Sequence, residues 1–228
     1  MFDQVESRVS VAPAPAIIFD LDGTLIDSVP DLMAAVNRML AREGLAPMER
    51  AEIQSYVGNG APVLVERVMT ARGLDPTRHS DLTRQMVTDY TGRSAELTRP
   101  YPNVRDTLAL LRGKGHRLGI CTNKPGGATA SVLAALRLDG YFDCVTAGDT
   151  LPVKKPHPAP LHATREALKA ATCLYVGDSE VDADCAAAAG IRFALYSEGY
   201  LRVPKAQIRF DAEFDDFAQL PAIVARLF

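Results

Sequence analysis

The chain has 228 residues with 25 basic and 28 acidic side chains, a net charge of −3 and no basic block, so it lacks the electrostatic footprint of a nucleic-acid binder. Its 47% hydrophobic content is that of an ordinary folded protein, long enough for one sizeable core with a smaller lobe beside it. The longest apolar runs are strand-sized, far short of the ~20 residues that span a bilayer, so small molecules are the expected partners, not nucleic acid or membrane.

Met1 to Pro15 carries Asp3 and Glu6 where a secretory signal would be basic, and is expected to be a short solvated tail. Ala16-Ile17-Ile18-Phe19 then reads as a strand that stops at Asp20, because Gly23 and Thr24 break its pattern. From Asp27 to Glu96 no strand is evident between the amphipathic stretches 30–43, 60–72 and 81–95, which predicts an all-helical insertion. Pro30 suits a first helical turn, Leu32, Val36 and Leu40 share a face, and Gly44 and Gly73 close their helices. Pro100-Tyr101-Pro102 marks the return.

Beyond it, short apolar runs at Leu118–Cys121, Cys173–Val176 and Phe193–Leu195 alternate with helical patterns. Val104, Leu108 and Leu111 share one helical face, and Ala128, Val132 and Leu136 repeat the spacing. The alanine-rich run Ala183 to Ala189 ends at Gly190, which suits a left-handed cap. The pattern predicts an α/β protein: a doubly wound, mostly parallel, Rossmann-like core from residues 1–26 and 97–228, and a small helical cap from 27–96. Cys121, Cys144, Cys173 and Cys185 show no metal or redox spacing and are expected to be reduced, buried thiols, which implies the cytoplasm.

Phosphoryl transfer to a carboxylate needs a nucleophile, a cation between the two anions and a proton donor for the leaving oxygen. Asp20 and Asp22, at a strand end, can supply the first and the last, with Gly23 allowing backbone N–H groups near a phosphate. By itself this acid pair reads equally well as a surface turn. Thr122-Asn123 offers a hydroxyl and N–H donors, though alone it would be an ordinary helix cap. Lys155, beside Lys154 and in a proline-stiffened loop, can neutralise charge, or be a solvated lysine. Asp178 and Asp182 follow another strand and suit magnesium, or simply an acidic helix start. All four elements fall at one sheet edge in chain order. No P-loop, no metal-ligand histidine spacing and no G-x-S-x-G elbow occurs.

These motifs and the inserted cap resemble the haloacid dehalogenase-like superfamily over almost the whole chain. The resemblance implies Asp20 as nucleophile, Asp22 as general acid and base, and Thr122 and Lys155 as phosphate ligands. It further implies Mg2+ held by Asp20, the backbone carbonyl of Asp22 and Asp178, with Asp182 in support. Tyr56-Val57-Gly58-Asn59-Gly60-Ala61, Thr122-Asn123-Lys124-Pro125 and Lys155-Pro156-His157-Pro158 look like the bacterial phosphoglycolate phosphatases. That implies hydrolysis of 2-phosphoglycolate by a monomer or homodimer, with Asn59 or Lys124 meeting the substrate carboxylate. Gly58-Asn59-Gly60 reads equally as a turn between helices, and Lys124 as a solvent-facing side chain. The alternatives are a phosphatase for another small phosphorylated metabolite, a sugar-phosphate mutase of the same superfamily, or a non-catalytic phosphate-binding module.

Overall fold

The computed structural model describes residues 14–93 and 95–228, so the expected N-terminal tail lies, up to residue 13, outside the described residues. The run of apolar residues after Pro15 forms β1 (Ala16–Phe19), buried along its whole length. It is followed by the short β2 (Ile26–Asp27) and four helices, α1 (Val29–Arg42), α2 (Arg50–Tyr56), α3 (Ala61–Arg72) and α4 (His79–Thr91). The chain returns through β3 (Arg99–Pro100) into α5 (Val104–Gly113), β4 (Leu118–Cys121), α6 (Gly126–Ala135) and β5 (Cys144–Thr146). It ends with α7 (Ala159–Ala167), β6 (Cys173–Gly177), α8 (Glu180–Ala189), β7 (Arg192–Tyr196), β8 (Ala212–Phe214) and α9 (Leu220–Leu227).

The main sheet is parallel, in the order β5-β4-β1-β6-β7-β8. Because the chain winds outward from β1 in both directions, helices cover both faces and the order reverses beside β1, where open α/β sheets hold ligands. Strand alternation divides the core: Ile17, Phe19, Leu118 and Ile120 pack with Leu108, Val132 and Val224 from α5, α6 and α9. Ala16, Ile18 and Tyr175 face the other way, with Leu161 of α7 and Ala183 and Ala186 of α8. Phe19 pairs in register with Ile120 and with Val176, so β1, β4 and β6 release the chain at one level.

The helices α1 to α4 bury a separate cluster, including Val36, Met39, Leu64, Val68, Leu82 and Met86, which extends onto Ala128 of α6 and onto Tyr200. The chain enters and leaves this lobe through β2 and β3, an antiparallel pair with Asp27 opposite Arg99. The buried Asp31 carboxylate accepts the Leu97 and Thr98 N–H groups, Thr98 at 2.8 Å, and so ties the start of α1 to the returning strand. Gly73 and Gly190 are left-handed helix caps, at φ 67° and 64°. Sequence pattern did not separate out α2, β5 or β8, which are short, and α2 buries only Ile53 fully.

Candidate active site

The acids and hydroxyls that leave β1, β4 and β6 converge at the sheet edge. Asp20 N–H continues the ladder by donating to the Val176 carbonyl, and Thr122 N–H donates to the Thr146 carbonyl on β5. Gly23 takes φ 90°, and a Cβ there would overlap the Asp178 carboxylate and the Tyr200 ring, so the turn admits glycine alone. The next residue, Thr24, donates its hydroxyl to Asp178 Oδ1 at 2.5 Å, and Tyr200 N–H donates to Oδ2 at 2.7 Å.

Lys155 is buried, with its ammonium 2.9 Å from Asp20 Oδ1 and 2.7 Å from Asp182 Oδ1, and it donates to the Tyr175 hydroxyl at 2.8 Å. Burial alone would depress its pKa, but the carboxylates of Asp182 and Asp20 outweigh that and raise it above the usual lysine range. Asp182 is the pivot of this network: its Oδ2 accepts from the Ser179 hydroxyl at 2.6 Å and closes a capping box at the start of α8. Burial opposes its charge, yet Lys155 and these hydrogen bonds hold its pKa below the carboxylate norm. Burial pushes Asp20 up to about 6 against the pull of Lys155, with Asp182 adding to the rise. Burial, then the charges of Asp182 and Asp20, push Asp178 well above its ordinary value.

Carboxylate oxygens of Asp20, Asp178 and Asp182, three buried residues, all lie within 4.8 Å of one another. With Lys155 as the cation among them, three ionised carboxylates would carry an excess of two negative charges. Asp20 Oδ1 has that ammonium as ion-pair partner but no aligned hydrogen-bond donor. Hard oxygen donors with unbalanced charge fit a divalent cation. The acids differ in availability: each Asp182 oxygen accepts from at least two protein donors, whereas each Asp178 oxygen accepts from one, which makes Asp182 the orienting group.

A cavity with about 50 Å³ of room opens above Asp20 and Asp22 and is bounded on the lobe side mainly by apolar residues, Leu64, Met86 and Tyr90 among them. Thr122, Asn123 and Lys124 line it from the core. Lys124 does not face water: it is buried, 3.0 Å from Asp22 Oδ1, and donates to the Tyr90 hydroxyl at 2.6 Å. Burial would lower its pKa, but Asp22 and Tyr90 raise it above the lysine norm. Asp22 therefore turns its carboxylate to Lys124, outside the cluster formed by Asp20, Asp178 and Asp182.

The Asn123 side chain is spent on structure. Its Nδ2 donates to the Gly58 and Lys155 carbonyls at 3.1 and 3.0 Å, and its Oδ1 accepts the Lys155 N–H at 3.0 Å. Gly58-Asn59-Gly60 forms the turn between α2 and α3, and Gly58 and Gly60 border the cavity. Asn59 does not border it. Its side-chain oxygen instead accepts from Arg67 at 3.0 Å and Arg202 at 3.1 Å. Sequence pattern missed Thr24, Tyr90, Tyr175, Tyr200 and Arg202; only Thr24, within the Asp20–Thr24 run, carried a local signal.

A family model described as haloacid dehalogenase-like hydrolase matches residues 17–196. A phosphoglycolate phosphatase of Cereibacter sphaeroides (strain ATCC 17029) is 47% identical over 215 residues, covering 93% of this chain and 99% of its own. One from Rhodobacter capsulatus is 41% identical over 217 residues, covering 92% and 97%. Among solved structures, a predicted phosphoglycolate phosphatase from Haemophilus somnus 129pt superposes with a TM-score of 0.85 at 34% identity, covering 91% of this chain and 96% of that one.

Proposed function

Because the chain belongs to the haloacid dehalogenase-like hydrolase family and is a phosphatase, we propose that it hydrolyses 2-phosphoglycolate to glycolate and phosphate in the cytoplasm. The observation that carries this reading is a small cavity whose floor is Asp20 and whose buried cation is Lys124. About 50 Å³ holds only a few waters, which favours a short leaving group over a hexose. The four cysteines are free, and burial pushes Cys121 and Cys185 up to about 12, as suits inert thiols in a reducing compartment. Residues 27–96 act as the cap that recognises the leaving group.

In this reading Asp20 attacks phosphorus in line and forms an aspartyl-phosphate, while Asp22 donates a proton to the departing alcohol oxygen. Asp22 then takes a proton from the water that hydrolyses the intermediate. Thr122, with the backbone N–H of Asn123, holds the non-bridging oxygens, and Lys155 offsets charge on Asp20 and the phosphate; the Gly23 N–H, expected to face phosphate, instead donates to the Ile26 carbonyl at 2.9 Å and closes the turn. The substrate carboxylate competes with Asp22 for Lys124, which frees Asp22 for proton transfer. Magnesium, held by Asp20, Asp178 and the Asp22 backbone carbonyl, supplies Lewis-acid neutralisation of the phosphate charge when bound. Asp182 acts one step removed, by fixing Lys155.

The test is phosphate release from a panel of monoesters, with magnesium and then with chelator. Preferred turnover of 2-phosphoglycolate, lost on chelation, is the expected result. Conversion of a hexose 1-phosphate to its 6-phosphate would replace the reading with a mutase, and no phosphate release from any monoester would remove it.

A further inference from the structure

Residues 199–202, which follow β7, touch the acid cluster, the lobe's hinge and the lobe's cavity turn in succession. At Gly199 a Cβ would overlap the Asp178 carboxylate and the Gly23 carbonyl, so the chain passes flush against both. Tyr200 N–H donates to Asp178 Oδ2 at 2.7 Å. The Tyr200 ring is buried within the lobe's own apolar cluster. Its hydroxyl accepts the N–H groups of Ser28 at 2.9 Å and Val29 at 3.3 Å, where α1 begins, and donates to Asp27 Oδ1 at 2.9 Å. Asp27 in turn holds Arg50 of α2 at 2.9 Å.

Two residues further on, Arg202 is anchored by Nε to Glu180 at 2.7 Å, at the start of α8. From that anchor it reaches Asn59 Oδ1 at 3.1 Å, and its guanidinium lies against Gly58, where a Cβ would meet it at 3.6 Å. The strap thus contacts Asp178 by its backbone, the hinge by one side chain and the cavity turn by another. Anything that fixes the Asp178 carboxylate fixes the Tyr200 N–H bonded to it, and with it the groups that the lobe must meet to stay shut. By linkage, what favours the bonded strap also favours the closed lobe.

We propose that Gly199–Arg202 is a strap through which a cation beside Asp178 sets closure of the helical lobe, with Tyr200 and Arg202 as positioning residues. The inference rests on the reading of the acid cluster as a cation site.

The experiment is amide hydrogen exchange on the full chain without substrate, in magnesium alone and in chelator, with magnesium binding followed by calorimetry. Wild type should exchange about tenfold more slowly in magnesium at residues 28–32 and 57–64, the effect of losing one charge-assisted hydrogen bond. Tyr200→Phe, which keeps the ring, should lose the effect at 28–32, and Arg202→Ala should lose it at 57–64. Asn59→Ala removes the same clasp from the lobe side together with the Arg67 bond, so adding Arg202→Ala to it should cause no further loss of the magnesium effect at 57–64. Magnesium that binds without protecting the lobe, or protection that survives in both Tyr200→Phe and Arg202→Ala, overturns the strap alone. No magnesium binding in wild type removes the cation site and the strap together. Turnover is not read, so the choice of substrate does not affect the outcome.

Discussion

The sheet domain and the helical lobe fix their functional groups by different means. Asp20, Thr122 and Asp178 each follow a strand whose neighbours are in register, so backbone hydrogen bonds set their positions. The lobe contributes Leu64, Met86 and Tyr90 through helix packing, with no ladder beneath them. Strand ends place reacting groups to the fraction of an ångström that in-line chemistry demands, whereas helix packing sets the size and polarity of a wall. Substitutions in the first region should therefore remove reaction, and substitutions in the second should change what reacts.

The sharpest test is Asp20→Asn, which should lower turnover by at least about 10⁴-fold while the circular dichroism spectrum is unchanged. The same variant reports on electrostatics. The folded pKa of Asp20 is raised from 3.8 to about 6, so its contribution to stability is complete below the unfolded value and is lost as pH rises through about 6. In urea denaturation of the metal-free protein, Asp20 should contribute a fall on the order of 3 kcal/mol across that window, read as the difference between wild type and Asp20→Asn. A steeper fall in the variant would contradict the assignment.

Lys155→Met should cost about 10³-fold in turnover and roughly 3–5 kcal/mol in stability, because it leaves Asp20 and Asp182 buried without their cation. Denaturant midpoints measured beside kinetics would separate the two losses. At the border between the regions, Lys124→Ala should raise KM for 2-phosphoglycolate by about 10- to 100-fold, with a smaller change for an aryl phosphate that has no carboxylate. Equal effects on both substrates would move Lys124 from recognition to chemistry. The mildest change is expected at Leu64→Ala, a few-fold at most in turnover of 2-phosphoglycolate, with longer phosphomonoesters gaining about tenfold relative to it. If that substitution left relative rates untouched, specificity would not lie in the lobe wall.

The same contrast explains what was readable in the sequence. Runs such as Ala16–Phe19 and Leu118–Cys121 are apolar on both faces because both faces are covered, and each ends on the polar residue that marks the sheet edge. The edge strands β5 and β8 have three residues each and partly exposed patterns, too little for periodicity to register. The partners of the site residues were harder still. Tyr200 meets Asp178 and Ser28 across separations of 22 and 172 residues, and Tyr90 meets Lys124 from another element, so their roles exist only after packing. Lys124 showed the same limit: a lysine after a strand reads as either a substrate contact or a solvent-facing side chain until Asp22 and Tyr90 are seen to enclose it.

The pairing of β2 with β3 has a mechanical consequence. The lobe joins the sheet domain by two chain crossings that are hydrogen-bonded neighbours, with Asp31 clamping one to the other at Leu97 and Thr98. Two adjacent points of attachment define a line, and a body held along a line keeps one rotational freedom. With the Tyr200 and Arg202 contacts released, the lobe would be kinematically a door, and a swing about that line would carry Leu64 and Met86 along a single arc relative to Asp20. One well-chosen distance across the cavity would specify its entire position.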